Sequence, residues 1–517
     1  MRPPVHSAHE LIVAAASRTP EQPALVDDLT GLSLTYRELL EEVDAIAAAL
    51  AERGVARGMR FATVLPNNIE HCLTILALAR LGAVPALMNA RLPPGELAQL
   101  MEQAGVVGAI LLSDPTLVAV TRGVVGSSGT VLCAGAAVEG AEAFAECRGD
   151  IDELPPVPEV ERDELAYIFY TSGTTGLPKG VLLSHKTTLP RIVWISALTG
   201  VRAGTHTRTL GMAPLSHAIG FYGNFLMSLA YSGTYFTSSA LDPESLLSCI
   251  ERNEISLVFT VPTFYFALMS APGYRPERLS SIRNLMWGGA TIRPDLLRSI
   301  NEDLDVTTSH LYGTTETMVS LYNHAPGDEP TRLRPGLFSS VRLVEFGGGP
   351  DDLVGVGEEG ELLISAASDT IFDGYLDMQD ETAEKVRDGW YHTGDTFRLR
   401  PDGDLEYSGR VDDIIRSGGE NVHPDEVEAA LSDHPAVGDL GVVGFPDDYW
   451  GEMVVACVVC NDDTSVAELD SWCREGPLAD YKRPRGYLML ESLPRNAANK
   501  LLRTELRMID PGILQRI

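Results

Sequence analysis

Helical patterns and short apolar runs alternate along roughly the first 150 residues, and that alternation constrains the fold more than any single motif. LTYRELLEEVDAIAAALAERGV spaces its apolar residues at helical intervals and stops near Gly54. FATVLPNN follows as a buried strand and turn, and HCLTILALARLGAVPALMNAR reads as helix, turn and strand. VGAILLS (Val107–Ser113) and TVLCAG (Thr130–Gly135) are further strands. Strands separated by helices form a layered α/β fold with a largely parallel sheet. No repeat of ~20–50 residues is present, so a solenoid is excluded.

A polar, proline-rich break, DIDELPPVPEVERDE, spans Asp150 to Glu164, and the α/β pattern then resumes to about Ala325. From about residue 335 to 410 short strands and Gly-Asp turns dominate (GELLIS, DGWYHTGD, PDGDLEYSGR), which predicts a mostly β lobe. After Arg410 the character changes: VHPDEVEAALSDHPAV reads as a helix, GDLGVVGF and MVVACVVC as strands, and a helix and a basic stretch follow. A chain of 517 residues is too long for one core. The expected division is a large N-terminal domain over 1–410, made of layered α/β sub-lobes plus the β lobe, and a small α+β C-terminal domain over 411–517.

Charge excludes whole classes of function. With 72 acidic against 40 basic residues the net charge is -32, a poor match for nucleic acid or an anionic membrane surface. No apolar run approaches the ~18 residues of a membrane span, and the N-terminal segment does not read as a signal peptide. Seven scattered cysteines fit free thiols in a reducing compartment, which points to the cytoplasm. Cys457 and Cys460 form a C-x-x-C inside MVVACVVC, where a strand would turn them to opposite faces and suit a structural role.

The strand LAYIFY runs straight into YTSGTTGLPKGVLLSH (Tyr170–His185). Glycines let a backbone approach a phosphate closely, and free N–H groups and hydroxyls donate to its oxygens. Lys179 adds a point charge. It follows Pro178 and precedes Gly180, so the loop is not the G-x-x-x-x-G-K-[ST] of P-loop NTPases. Only five lysines occur, Lys179, Lys186, Lys385, Lys482 and Lys500, while nearly all other positive charge is arginine. Where a compact ammonium replaces the planar fork, the site itself can require it.

YTSGTTGLPKG resembles the phosphate-binding signature of the adenylate-forming superfamily, which includes acyl- and aryl-CoA synthetases. The resemblance covers essentially the whole chain. It recurs in order as WGGAT (Trp287–Thr291), YGTTE (Tyr312–Glu316), YHTGD (Tyr391–Asp395), GRVDD, SGGENVHP (Ser417–Pro424) and PRNAANK (Pro494–Lys500). It implies that Thr171, Ser172, Gly173, Thr174, Thr175, Gly176 and Lys179 hold the phosphates of ATP. Gly288, Gly289 and Ala290 would lie along the adenine, and Tyr312 near the base, in a loop continued by Gly313 and Thr314. Thr315 would meet the α-phosphate, Glu316 would hold Mg²⁺, and Asp395 would take the ribose hydroxyls with Arg410 nearby. Lys500 would bridge the substrate carboxylate and the α-phosphate.

The same resemblance implies two steps. A carboxylate attacks the α-phosphate to give acyl-AMP, and the thiol of coenzyme A then displaces AMP. Between them the C-terminal domain would rotate about Asp412, bringing Gly418 and Gly419 to the pantetheine path. Trp450, Tyr481, Arg483 and Arg485 are the candidate coenzyme A contacts, the arginines suiting phosphate. The acyl pocket would be lined by Trp194, His217, Ala218, Ile219, Phe259, Ala290, Leu311, Met318 and Val319, with His217 as a gate towards the thiol. Apart from His217 this set is apolar and suits a hydrophobic carboxylate. The small-molecule partner is expected to be a benzoate-type acid, since LYGTTETMVSLYNHAPG and LADYKRPRGY look most like the ligases acting on 4-chlorobenzoate. Val319 stands where those enzymes carry asparagine and Trp194 where phenylalanine is expected, which leaves another ring or a medium-length acyl chain open. Transfer of acyl-AMP to a carrier protein is the competing outcome, and a homodimer is the candidate assembly.

Overall fold

The predicted α/β alternation forms two mainly parallel sheets. The computed structural model describes residues 7–171, 178–203, 207–238, 240–461, 464–476, 478–495 and 501–517. The chain makes two compact units: one comprises residues up to Pro330, Arg334–Ser340 and Ala366–Glu384, the other Thr331–Leu333, Val341–Ser365 and Lys385–Ile517.

In the first unit one sheet runs in the order Gly374–Tyr375, Lys179–Ser184, Leu165–Thr171, Val84–Leu87, Arg60–Val64, Gly108–Leu112, Thr130–Ala134 and Glu142–Ala143. Its pairings are parallel except those on the side of Lys179–Ser184. Strands covered on both faces must be apolar throughout, and Val84–Leu87 is buried at every position. The helices between them start where short polar side chains cap exposed N–H groups. Thr35 and Glu38 form a reciprocal capping box ahead of Tyr36–Glu52, and Asn68 accepts from the His71 N–H ahead of Ile69–Leu81. Gly82 ends the second helix with φ 66°, a left-handed turn that glycine adopts without a Cβ clash.

The second sheet of this unit has a parallel core. Thr307–Tyr312, Asn284–Trp287, Leu257–Thr260, Arg208–Leu210, Thr234–Thr237 and Pro23–Asp27 lie side by side, flanked by the antiparallel Leu321–His324 and Ser33–Thr35. Three of these strands end where the sequence places its motifs: Thr260 just past Phe259, Trp287 before Gly288, and Tyr312 before Gly313. The carboxyl ends of parallel strands are the usual ligand crevice of open α/β sheets.

The second unit contains the predicted β lobe. Val341–Val344, Glu359–Ser365, Trp390–Leu399 and Leu405–Arg410 pair antiparallel in succession. The remaining α+β part centres on the long hairpin Val437–Asp447 and Gly451–Cys460. Its strands alternate between two cores: Val454, Ala456 and Val458 enter one, Met453, Val455 and Cys457 the other. Cys457 and Cys460 accordingly face opposite sides, as strand periodicity dictates. Of the stretch from about 335 to 410, Val341–Ser365 and the part from Lys385 onward group with residues 411–517, while Arg334–Ser340 and Ala366–Glu384 belong to the first unit.

One element has no counterpart in the sequence reading. Ile219–Leu226, within PLSHAIGFYGNFL, is a π-helix. Its glycines are required by close approach. A Cβ at Gly220 would lie 2.3 Å from the Pro214 carbonyl oxygen, and one at Gly223 would lie 2.5 Å from the Phe259 ring. π-helical turns are uncommon and cluster at functional sites.

Candidate active site

Thr171 and Lys179 are cross-strand partners in the hairpin that carries the glycine-rich loop. The loop residues Ser172, Gly173, Thr174, Thr175 and Gly176 lie outside the described residues, as does Lys500. The Lys179 ammonium is 2.8 Å from a Glu381 carboxylate oxygen and 5.5 Å from the centroid of the Tyr375 ring. That tyrosine donates its hydroxyl to Oε1 of Glu316 at 2.8 Å. Two residues singled out from distant motifs therefore meet through a third that the sequence gave no reason to select. Lys186 is likewise held in an ion pair, with Asp373.

Glu316 is buried, and its loop is sharply folded. The Met318 N–H donates to the Thr314 carbonyl at 2.7 Å, and Met318 itself sits at φ 61°, an unusual backbone for a residue with a side chain. A Cβ on Gly313 would lie 1.3 Å from the Met318 carbonyl oxygen, so only glycine fits there. From outside the loop, the Phe372 N–H donates to the Glu316 carbonyl at 2.7 Å. Arg191, on the helix Thr188–Thr199, reaches the carbonyls of Thr315, Glu316 and Thr370.

The expected pocket residues also converge. A Cβ at Gly288 would be 2.6 Å from the Leu311 carbonyl oxygen, 3.5 Å from the Phe259 ring and 3.6 Å from the Ile219 side chain, so one main-chain oxygen and two apolar side chains surround this glycine. Leu311 pairs across the sheet with Tyr322, whose ring meets the Trp194 indole edge-on at 5.3 Å. Trp194 is buried, and its indole nitrogen has no hydrogen-bond partner among the described residues. Ala218, Met318 and Val319 are buried, while Gly289 turns at φ 76° and Ala290 is exposed. His217 is half-buried, and burial, reinforced by the nearby Arg91 charge, lowers its pKa and favours the neutral imidazole.

Asn67 is a further residue that sequence reasoning missed. Its side-chain amide donates to the carbonyls of Gly211 and Ala213 at 2.7 and 2.8 Å, and its carbonyl accepts from the Leu215 N–H at 2.8 Å. All three bonds hold the stretch that leads into His217.

In the second unit Asp395 and Arg410 are register partners on adjacent strands, joined at 2.7 Å. Asp395 is buried, so the arginine fixes a carboxylate that would otherwise be costly there. Asp412 is exposed in the short turn Val411–Asp413. Gly418 and Gly419 follow with φ of 61° and 89°, and Gly418 packs beneath Trp450. Arg485 lies over the Trp450 ring at 5.3 Å, and Tyr481 is exposed. Arg483 is buried and held by Asp470 and Asp480.

A hard cation such as Mg²⁺ keeps several waters and takes one or two carboxylates plus phosphate oxygens. Among the described residues no cluster of three or more His, Cys, Asp or Glu side chains is arranged for a metal. One oriented carboxylate, Glu316, fits an ion whose shell is completed by phosphate and water.

Such a layered fold, with motif loops at its strand ends and a separately paired carboxylate and arginine, defines the nucleotide-activating ligases. Residues 12–376 match the AMP-binding enzymes and residues 426–500 the AMP-binding enzyme C-terminal domain, and the chain belongs to this family. It is 39% identical over 504 residues to a 4-chlorobenzoate–CoA ligase of an Arthrobacter species, covering 97% of this chain and 95% of the relative. A feruloyl-CoA synthase of an Amycolatopsis species is 34% identical, with 92% and 94% covered. The o-succinylbenzoate–CoA synthetase of Bacillus subtilis, solved with its acyl-adenylate intermediate, superposes with a TM-score of 0.83 at 27% identity, covering 96% and 97%. The protein is an AMP-forming acid–thiol ligase that uses ATP, Mg²⁺ and coenzyme A. No helix among the described residues is long and apolar enough to cross a membrane.

Proposed function

We propose that the carboxylic acid is a benzoate-type aromatic acid, converted to aryl-AMP and then to the aryl-CoA thioester. The observation that carries this reading is the approach of the Phe259 ring and the Ile219 side chain to Gly288, together with the edge-on pair of Trp194 and Tyr322. Aromatic and branched side chains on a glycine floor suit a planar ring. The ligases of similar sequence from Arthrobacter and Pseudomonas species act on 4-chlorobenzoate, which agrees with that shape.

Within this reading Lys179, Thr171 and the loop from Ser172 to Gly176 hold the triphosphate, and Gly288, Gly289, Ala290 and Tyr312 border the adenine. Thr315 meets the α-phosphate, and Glu316 would hold Mg²⁺, which when bound would supply positive charge to the phosphates. Asp395 and Arg410 take the ribose. Lys500 stabilises negative charge between the attacking carboxylate and the phosphate, a placement that contributes a few kcal/mol in comparable sites. No covalent nucleophile is needed, because positioning and charge neutralisation suffice.

Residues 411–517 form the moving body, turning at Asp412 between the half-reactions. Exposed Asp412, Gly418, Gly419 and Tyr481 support that assignment, as does the Trp450–Arg485 stack for the coenzyme A site. Arg483, buried on Asp470, supports the site by holding the YKRPR loop. A cytoplasmic location fits seven cysteines that are all free thiols. Sedimentation of the purified protein reads out whether it pairs into a homodimer.

The test is AMP release with ATP, Mg²⁺ and coenzyme A over benzoates, cinnamates and medium-chain fatty acids, with the thioester detected directly. Benzoates should give the highest kcat/KM. Faster turnover of the fatty acids would overturn the aromatic reading, and adenylate without thioester would favour a carrier-protein acceptor.

A further inference from the structure

Arg191 is 1% exposed, yet no carboxylate oxygen among the described residues forms an ion pair with it. Its guanidinium is satisfied by main-chain carbonyls alone. Nε and Nη2 donate to Thr370 at 3.0 and 2.6 Å, Nη1 donates to Thr315 at 3.1 Å, and Nη2 donates to Glu316 at 3.1 Å. The cation lies over the Tyr222 ring at 5.1 Å. Burying an unpaired charge costs several kcal/mol, so a packing role alone would favour leucine or methionine here. Arginine offers five donors in a rigid plane, and a lysine offers one nitrogen. The wide, fixed fork holds two separate chain segments at a set spacing, which the three donors of a single ammonium nitrogen do not.

Those two segments both serve Glu316. One is its own loop, Thr315–Glu316. The other begins at Thr370 and continues to Phe372, which donates to the Glu316 carbonyl, and to Tyr375, which donates to its carboxylate. We infer that Arg191 is a positioning residue for adenylation: it clamps the Thr315–Glu316 loop against the Thr370–Tyr375 segment and so fixes the carboxylate that takes Mg²⁺ and the hydroxyl that meets the α-phosphate. This rests on the roles proposed above for Thr315 and Glu316.

The test follows the Mg²⁺ dependence of pyrophosphate–ATP exchange, alongside thioester formation from pre-made aryl-AMP, for Arg191→Lys, Arg191→Gln and Glu316→Gln. Displaced outer-shell partners of metal sites typically cost about 10–100-fold in metal affinity or activity. Arg191→Lys should therefore raise the half-saturating Mg²⁺ concentration about 10-fold or more and slow exchange, leaving thioester formation within about 3-fold. A Glu316→Gln variant with unchanged Mg²⁺ dependence overturns the metal role of Glu316 and this inference with it. A shift in Glu316→Gln but none in either Arg191 variant leaves the Glu316 role standing and overturns the clamp. Equal loss in both half-reactions, or failure of both Arg191 variants to fold, assigns Arg191 to core stability and also overturns it.

Discussion

Tyr375 donates its hydroxyl to Glu316 at 2.8 Å while its ring lies 5.5 Å from the Lys179 ammonium, so one side chain touches both the carboxylate proposed for Mg²⁺ and the ammonium proposed for the phosphates. Tyr375→Phe removes the hydrogen bond and keeps the ring. A hydrogen bond to a charged group contributes about 1.5–3 kcal/mol, so adenylation should slow about 10- to 100-fold. Tyr375→Leu removes the ring as well and should slow it further. Pyrophosphate–ATP exchange checks both, and equal rates for the two variants would remove the ring from the account.

Gly313→Ala should abolish adenylation. Its Cβ would overlap the Met318 carbonyl oxygen, and the turn carrying Thr315 and Glu316 would have to open. Gly95→Ala is the control, since Gly95 lies in the helix Pro94–Ala104 with nothing within 4 Å of its Cβ. Helix propensity makes that change neutral or stabilising by up to about 1 kcal/mol. Exchange rates and thermal unfolding of the two variants should diverge.

Asn67→Ala leaves two carbonyls and one N–H of the 211–215 stretch without their partner. Unsatisfied buried groups cost about 1–3 kcal/mol each when water cannot reach them. The expected result is a loss of about 2–4 kcal/mol in denaturant unfolding, with a raised KM for the acid because the chain leading to His217 loosens. An unchanged KM in a folded variant would confine Asn67 to stability.

Glu359 carries the clearest pH signature. His423 donates to it at 3.0 Å and Arg398 pairs with it at 2.6 Å, and the two, led by the His423 hydrogen bond, hold its pKa at about 2 against the opposing effect of burial. The folded value is depressed, so its stabilisation is present above the unfolded value near 4.5 and is lost as pH falls towards about 2. Glu359→Gln should cost about 2–3 kcal/mol at pH 7, and the gap from the parent should close between pH 4.5 and 2. Urea unfolding across that range measures it, and a pH-independent gap would contradict the sign.

Much of the scaffold was legible because its signals are local. The capped helices Tyr36–Glu52 and Ile69–Leu81 and the apolar strands beside them follow from periodicity and from residues three positions apart. The motif loops were legible by their resemblance to the adenylate-forming enzymes, and the structure sets Gly288 and Gly313 just past strand ends. Arg483 reads in sequence as a phosphate ligand because YKRPR is basic, but its partner Asp470 is contributed by another helix and turns it inward.

What the chain alone determined is the order of strands, helices and glycine turns, since backbone sterics and side-chain spacing act over a few residues. The tertiary structure decided which distant side chains meet. Glu316 meets Tyr375 across 59 residues of chain, Arg191 meets Thr370 across 179, and Asn67 meets Leu215 across 148. A tyrosine, an arginine and an asparagine carry no periodic signal of their own. Their roles arise only when packing removes water and leaves each polar group a single set of partners.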